Sequence, residues 1–372
     1  MRYFPVPTRH DIVSIVVILA ACVAVSYVDL SPKTIKQDGD KEKAVVLSVD
    51  DSSVEQIGLL TQGTQNLRVR VLSGKWKGQE FDAANLLRAQ MELDKIFKPG
   101  DKILVGIYPD ADPKTSTITA LHYYRADWTF ILFFLFAALL LAFGGMTGFT
   151  ALLSFVFSCL VVWKLLIPLC LQGVNPMLVA LVTVTILSAV IIFLIAGFTK
   201  KGVTAFLGAF AGVLASCLLA WLFTDLFKIN GAAMPYSQAL LYSGYDHLNL
   251  AHIFIGGIFL GSSGAVMDLG MDIAAGMSEI VKQKPDISRK ELILSGIHIG
   301  QSVVGTMTTT LLLAYSGGYL TLMMMFVVQG TEPIDFINNP LVACEVVKTI
   351  IGSFGLVLVA PLTAVLGGWT LK

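Results

Sequence analysis

Residues 264–280, "GAVMDLGMDIAAGMSEI", have the small and apolar side chains of a membrane helix but carry three carboxylates. An ionised aspartate at the centre of a bilayer costs about 2.5–3.5 kcal/mol on insertion scales. Because a helix advances 100° per residue, Asp268, Asp272 and Glu279 fall within about 40° of one line. The same line carries the small residues Gly257, Gly261, Gly264 and Ala275. The stretch therefore predicts a membrane helix with one face of acids and small residues.

The composition agrees with a membrane protein. Of the residues, 55% are hydrophobic and only 14% are charged, and the mean hydropathy is +0.75. Soluble domains average about 25% charged residues, so most of this chain is expected to lie in lipid. The formal net charge is zero, and it gives no indication of a nucleic-acid partner. The five cysteines lie in apolar stretches without metal-ligand spacing. The polar region contains none, so it is not a disulfide scaffold.

No catalytic motif accompanies these features. The sequence has no glycine-rich phosphate loop, no nucleophile motif and no H-E-x-x-H pattern. We therefore predict no enzymatic activity and no organic cofactor. Whether the chain binds a metal stays open at this point.

Candidate spans follow from length, since about 20 apolar residues cross the hydrocarbon core. Eight stretches qualify, at about 11–28, 128–146, 149–171, 176–198, 202–227, 250–280, 292–316 and 343–370. A shorter apolar piece begins at Tyr319, "YLTLMMMFVVQ", and is either a re-entrant half-helix or a short ninth span. The expected fold is thus a mainly α-helical, polytopic membrane bundle.

The basic residues predict how these spans are oriented. There are three clusters of basic residues. The first, Arg2 and Arg9, precedes the first span, and the second, Lys200 and Lys201, separates the fourth span from the fifth. The third separates the sixth span from the seventh and consists of Lys282, Lys284, Arg289 and Lys290. All fall on one side, which the positive-inside rule makes cytoplasmic. Eight spans then give cytoplasmic N- and C-termini in the bacterial cell membrane, whereas nine would put the C-terminus outside. Residues 1–29 are expected to be an uncleaved anchor, with a cleaved signal peptide as the alternative.

Residues 30–126 form the one large polar region, and this topology places them outside the cell. The runs "AVVLSV", "LRVRVL", "KILVGIY" and "STITALHYY" alternate with Gly- and Pro-containing turns and predict four or five strands. A small β-barrel or sandwich of OB or SH3-like kind is expected. The segment "AANLLRAQMELDKIF" (residues 83–97) could hold a short helix. We interpret the region as a binding or assembly module, followed by the membrane domain at 127–372.

The seventh span carries a polar line of its own. His298, Ser302, Gly305, Thr309 and Ser316 lie within about 40° of one line, and Gln301 flanks it. The sixth and seventh spans run antiparallel, and counting from their connecting loop puts Asp268 level with Ser302 and Gly305. If the two lines face each other, they form a polar seam. Its candidate proton- or ion-coupling residues are Asp268, Asp272, Glu279, His298, Gln301, Ser302 and Thr309, and its packing glycines are Gly257, Gly261, Gly264 and Gly305. The alternative is a polar lock between two helices.

The last span adds a secondary candidate. Glu345 and Lys348 are three residues apart, a spacing that suits an ion pair within one helix. The pair is either a neutralising contact or a second functional site, and the sequence leaves both readings open.

Several segments resemble the YibE/F-like family of bacterial membrane proteins. They are "RVRVLSGKWKGQEF" and "LDKIFKPGDKILV" in the polar region, residues 264–280 with "GTMTTTLLLAYSGG" in the core, and "GSFGLVLVAPLTA" near the end. The resemblance implies an integral membrane protein and says little about cargo. The family more usually has a small residue where Asp272 stands, and an Arg-Asp type pair around His298 to Gln301. Asp268 and Glu279 match its pattern better.

The C-terminal half is also similar, more weakly, to the SecDF and RND permease core. In those proteins a mid-membrane aspartate takes part in proton coupling, so the similarity implies this role for Asp268. The leading hypothesis is a proton- or ion-coupled transporter or export component, whose ion is a proton or a cation. The alternative is a non-transporting scaffold or receptor that presents the polar domain to a partner. The expected partners are the lipid bilayer and an unidentified cargo or protein, without nucleic acid; an oligomer is compatible with the sequence.

Overall fold

A computed structural model describes residues 9–30, 39–108, 112 and 116–372. The chain divides into two compact units. One comprises Met1–Pro32 with Leu140–Lys372 and is helical; the other, Lys33–Leu139, contains all the strands among the described residues.

The strands form a closed barrel. They are β1 (Asp40–Asp50), β2 (Val54–Ile57), β3 (Leu60–Val71), β4 (Glu80–Arg88), β5 (Lys102–Ile107) and β6 (Thr117–Tyr123). Five of them close a ring in the order β1–β5–β6–β4–β3–β1, while β2 pairs only with β3. The β4–β6 pair is parallel and the other pairs are antiparallel. The ring confirms the predicted barrel, and the sandwich alternative is wrong.

Alternation of buried and exposed residues explains why these segments form a barrel. In β4 every second residue from Phe81 to Leu87 is buried, and in β5 the buried positions are Ile103, Val105 and Ile107. A bulge between Val46 and Ser48 in β1 lets this long strand pair with β3 at one end and with β5 at the other. Bulges of this kind bend a strand and allow a small sheet to close.

The predicted short helix at residues 83–97 is wrong, because Glu80–Arg88 is a strand. Its one buried polar residue, Asn85, donates hydrogen bonds to Gln65 Oε1 at 3.1 Å and to the Lys95 carbonyl at 2.6 Å. Gln65 is fully buried, donates to the Phe97 carbonyl at 3.0 Å and accepts from the Phe97 N–H at 2.9 Å. Two buried amides thus hold the segment after β4 against the barrel, with their hydrogen-bonding groups satisfied.

The remaining described elements are helical. They are α1 (Arg9–Tyr27), α2 (Ala126–Val161), α3 (Ile167–Leu171), α4 (Pro176–Ala196), α5 (Lys200–Leu226), α6 (Ser237–Tyr242), α7 (Leu250–Gln283), α8 (Arg289–Gly318), α9 (Leu320–Val328), α10 (Pro333–Asn338) and α11 (Pro340–Thr370). A π-helical turn, Val162–Leu166, joins α2 to α3. The long helices agree with the predicted apolar stretches to within a few residues.

A glycine breaks α2 between two of the predicted stretches. Gly145 has φ 54° and ψ −125°, a backbone conformation outside the helical region that glycine adopts at low cost. In a straight helix, residues 140 and 148 would be about 12 Å apart along the axis. Here Gly148 lies so close to the Leu140 carbonyl that a Cβ on Gly148 would overlap the carbonyl oxygen. The chain therefore turns sharply at Gly145.

Five helical segments in the described part of the chain are long and apolar enough to cross a membrane: Ala126–Leu171, α4, α5, α7 and α11. A sixth is the pair α8 and α9, which is bent by 66° at its break. The apolar part of α1 that the structure describes, Ile15–Tyr27, is shorter than a span. These helices indicate a membrane protein, while the count of eight spans and their orientation remain predictions.

Small residues bring the core helices of this unit together. A Cβ on Gly208 of α5 would overlap Thr363 of α11, and one on Gly355 of α11 would overlap Ser216 of α5. A Cβ on Gly367 of α11 would lie 2.7 Å from Met277 Cε of α7. Such contacts are the usual basis of helix association in membranes, where backbones approach at glycine and van der Waals packing is gained.

Candidate functional site

The line of acids and small residues predicted on α7 lies on the outer surface of the helical unit. Asn249 caps the helix by accepting a hydrogen bond from the His252 N–H, and the helix then runs unbroken through both aspartates. Every member of the line is exposed: Gly257, Gly261, Gly264, Asp268, Asp272, Ala275 and Glu279. The positions between them are largely buried against the bundle, so the 3.6-residue period sets one continuous outward strip.

The polar line predicted on α8 is also exposed. It includes His298, Gln301, Ser302, Gly305 and Thr309. Thr306 and Thr310, which the sequence analysis did not single out, extend it. The side-chain hydroxyls donate to carbonyls of their own helix, for example Ser302 to Ile299 at 2.7 Å and Thr306 to Val303 at 2.9 Å. These bonds occupy the hydroxyl protons and leave oxygen lone pairs free to accept.

Contacts between the two helices fix their register. A Cβ on Gly276 of α7 would lie 2.7 Å from Ile299 Cδ1, and one on Gly300 of α8 would lie 3.3 Å from Ile273 Cδ1. In antiparallel helices these pairs put Asp272 level with about Gln301 and Ser302, and Asp268 level with about Gly305 and Thr306. His298 is then about one turn closer to the connecting loop than Asp272.

The predicted seam between facing lines is therefore corrected. The contact between α7 and α8 is made by Ile273, Gly276, Met277, Gly296, Ile299 and Gly300, and further along by Gly261 against Tyr315. The other members of both polar lines lie outside this contact, and all members of both lines except the half-buried Ser316 are exposed. Together they form one surface, here called the α7–α8 face: Gly257, Gly261, Gly264, Asp268, Asp272 and Ala275 with His298, Gln301, Ser302, Gly305, Thr306, Thr309 and Thr310. Periodicity identified the members of each line but not what each line faces.

Within the described residues, the side chains of Asp268 and Asp272 make no ion pair or hydrogen bond. Glu279 differs, because its carboxylate accepts from Lys282 Nζ at 3.2 Å near the end of α7. Of the three acids on α7, only Asp268 and Asp272 therefore remain candidates for proton or ion coupling. Glu279 forms an ion pair with Lys282 at the end of the helix. No group of three or more His, Cys, Asp or Glu suited to a metal ion is found in the described part of the chain.

A second polar cluster lies where α8 meets α11. Glu345 accepts from Lys348 Nζ at 2.8 and 3.0 Å, so the predicted ion pair is present. Tyr319 and Thr349 share a hydrogen bond of 3.1 Å. Tyr315 has a buried hydroxyl without a partner in the described structure, and a Cβ on Gly261 would lie 2.8 Å from it. Neither tyrosine is predicted as a site residue from the sequence, where the only signal is a pair of phenols beside the break between α8 and α9.

Comparison with known proteins covers nearly the whole chain. Residues 132–372 match the profile of the family described as YibE/F-like protein. Residues 38–121 match the profile of the YibE/F family N-terminal domain. No curated protein and no solved structure matches the chain. The weaker similarity to the SecDF and RND core therefore remains a prediction made from the sequence.

Proposed function

The chain belongs to the YibE/F-like family, and we propose that it is a transporter or export component driven by protons or cations, without enzymatic activity. One observation carries the proposal: Asp268 and Asp272 lie one turn apart near the middle of an apolar helix, exposed and without a cationic partner in the described residues. Acidic residues at membrane depth are rare, and they recur in the proton relays of pumps and transporters.

The chemistry available at the α7–α8 face suits such a relay. Asp268 and Asp272 can take up and release a proton or hold a cation briefly. The imidazole of His298 and the oxygens of Ser302 and Thr306 lie at similar depths on α8. Since three-residue metal clusters are not found among the described residues, transient exchange is favoured over tight metal binding.

Proton flux into proteoliposomes tests this function. Purified protein is reconstituted in vesicles loaded with a pH-sensitive dye, and a pH step with a potassium–valinomycin potential drives the flux. We expect wild-type vesicles to acidify faster than empty ones and Asp268→Asn to lose most of the excess rate. Asp225→Asn, an exposed acid at the end of α5, is the matched control and should retain it. Wild-type vesicles that acidify no faster than empty vesicles would remove the basis for proton transport.

The second candidate function is a scaffold that positions the barrel for a partner. It is favoured by the small residues of the α7–α8 face and by its hydroxyls, which donate to carbonyls of their own helix. Such a surface suits contact with another protein as well as it suits a path for ions. The scaffold predicts no flux from correctly folded wild-type protein, and unchanged copurification of associated proteins with Asp268→Asn. Loss of those proteins on deletion of residues 39–124 would favour it over transport.

We also propose that the barrel lies outside the cytoplasmic membrane and that the loop between α7 and α8 lies inside. The basic residues around that loop support this orientation. In a variant whose native cysteines are replaced, Ser52→Cys should react with a membrane-impermeant maleimide on intact spheroplasts. Asp286→Cys should react only after permeabilisation. The reverse labelling pattern would invert the orientation.

A further inference from the structure

The outward surfaces of the helical unit are of two kinds. On α4, α5 and α11 the outward positions are bulky and apolar, as lipid contact requires: Leu178, Val182 and Ile186; Leu214, Leu218 and Leu222; Ile350, Phe354 and Val357. The outward line of α7 has no such residue and carries two carboxylates. The outward line of α8 carries an imidazole and an amide and continues into the exposed Leu313. Lipid would leave these groups without hydrogen bonds or counter-charge, which is unfavourable for charged and polar side chains at membrane depth. In the membrane this face therefore requires a cover other than lipid.

The glycines of the unit suit a cover formed by another helix surface. Within the core, glycines stand where a Cβ would meet a neighbouring helix, as at Gly208 and Gly355. On the α7–α8 face, a Cβ on Gly257, Gly264 or Gly305 would meet nothing within 4 Å. Glycine is less favourable than alanine inside a helix, and in the described part of the chain no contact within 4 Å compensates for this at the three positions. Open glycines at helical spacing are what close approach by a second helix needs.

We propose that a second copy of this chain covers the α7–α8 face. Two copies insert with the same orientation, so a two-fold axis normal to the membrane relates them, and each residue meets residues of its own depth. Because α7 and α8 lie side by side and run antiparallel, that axis places α7 of each copy against α8 of the other. The two lines that do not face each other within one chain then face each other between chains.

The chemistry at matched depth supports a second copy over an unrelated partner. Asp272 lies level with Gln301, so its carboxylate meets an amide donor of the second copy. His298 of that copy is about one turn away and supplies a second N–H donor. Asp268 lies level with Gly305 and Thr306, where the second backbone can approach closely. The same contacts occur twice, and they give Asp272 a donor that it lacks among the described residues of its own chain.

The proposal goes beyond transport, because association can be measured without any flux. The two copies complete the polar site, since each contributes its aspartates to one half and its α8 donors to the other. Failure of association and failure of proton flux are therefore separate results. A dimer that conducts nothing would leave this inference intact and remove the proposed function.

Cross-linking in membranes tests the pairing. Two differently tagged copies, with native cysteines replaced, are coexpressed: one carries Gly264→Cys and the other Thr309→Cys, positions of nearly equal depth. We expect a mixed-tag product. Pairing Gly264→Cys with His298→Cys, about 16 Å apart in depth, should give none. The apolar pair Leu218→Cys and Phe354→Cys should also give none. Equal cross-linking of all three pairs would overturn the proposal.

The size of the particle in lipid nanodiscs gives a second measurement. Wild-type protein is expected to contain two copies, and Gly264→Leu to reduce the two-copy fraction about tenfold or more, because its side chain fills the contact. Gly264→Leu meets nothing in its own chain and should keep its thermal stability. Leu218→Trp adds bulk on the apolar surface and should remain two-copy. A wild-type particle with one copy, or with a different protein on the α7–α8 face, would overturn the proposal. So would free reaction of the Gly264→Cys variant with a water-soluble maleimide.

Discussion

Acidic residues that look alike in the sequence differ in the structure by whether a cationic side chain lies beside them. Asp268, Asp272 and Glu279 share one helical line, yet only Glu279 has a cation beside it. Glu345 likewise lies in an apolar helix but is compensated by Lys348. The carboxylates of Glu279 and Glu345 are thus compensated within the chain, whereas those of Asp268 and Asp272 have no cationic partner among the described residues.

The Glu345–Lys348 pair gives a stability prediction. Both side chains are largely covered, with exposed fractions of 24% and 28%. Removing one partner leaves the other charge uncompensated in an apolar helix, so Lys348→Met or Glu345→Gln should each destabilise the fold by about 1–3 kcal/mol. The double variant should recover part of that loss. Thermal unfolding of the four proteins in detergent measures this, and strictly additive losses would mean that the pair has no coupling energy.

His122 in β6 gives a pH prediction for the barrel. His122 is exposed on β6, but desolvation by neighbouring groups lowers its pKa below the ordinary value, and the positive charges of Lys95, Arg125 and Lys41 lower it further. A cationic group with a lowered pKa binds its proton more weakly in the folded state, so protonation favours unfolding. The barrel should therefore lose stability as the pH falls through about 6.5 towards the lowered value.

Hydrogen exchange of barrel peptides in the intact protein, followed from pH 7.5 to 5, measures the effect after correction for intrinsic rates. His122→Gln should flatten the dependence in this window. Carboxylates of the barrel such as Glu80, whose pKa is lowered chiefly by its hydrogen bond from Arg70, act only at lower pH. An unchanged profile in His122→Gln would assign the effect to another group.

Among the helices and strands, those with a regular hydropathy pattern could be predicted from the sequence, and those that depend on a neighbouring strand could not. The long apolar helices and four strands followed from hydropathy and alternation. β4 did not, because Ala, Leu and Arg favour helices and a buried Asn85 interrupts its apolar alternation. Its strand conformation comes from pairing with β3 and β6, which no local pattern in the segment records. β2, "VEQI", is short and polar, and exists as the hairpin partner of β3.

Packing between α5 and α11 gives a prediction at this scale. Gly208 lies against Thr363, whose side chain is fully buried, so a larger residue must push the helices apart. Gly208→Val should destabilise the helical unit by about 1–3 kcal/mol through overpacking. Gly317→Val, at a position where a Cβ meets nothing within 4 Å, is the matched control. Thermal unfolding in detergent should separate the two variants, and equal midpoints would show that α5 and α11 adjust at little cost.

In the molecule as a whole, the sequence predicts which residues share one face of a helix, but it does not predict which other helix packs against that face. A helical period relates residues of one helix to each other, but the neighbours of that helix depend on packing among α5, α7, α8 and α11. Asp268 and Gly264 were correctly placed on one line for this reason, and the partner line was incorrectly placed opposite them. The division into a barrel and a helical unit follows instead from composition, which changes abruptly between polar and apolar segments.

That division predicts that the barrel folds without the helical unit. Its five strands close on themselves, and its core is built from its own residues: Ala44, Val46, Leu67, Val69, Val71, Phe81, Ala83, Phe97, Ile103, Val105, Ile107, Ile118 and Ala120. A fragment of residues 38–124 should therefore be soluble and unfold cooperatively, with a stability of roughly 5 kcal/mol, typical of a small domain. Val69→Asp, which buries a charge in this core, should abolish the transition, while Glu55→Gln on the exposed β2 hairpin should preserve it. Circular dichroism during urea titration measures both, and a wild-type fragment without a cooperative transition would show that the barrel needs the rest of the chain to fold.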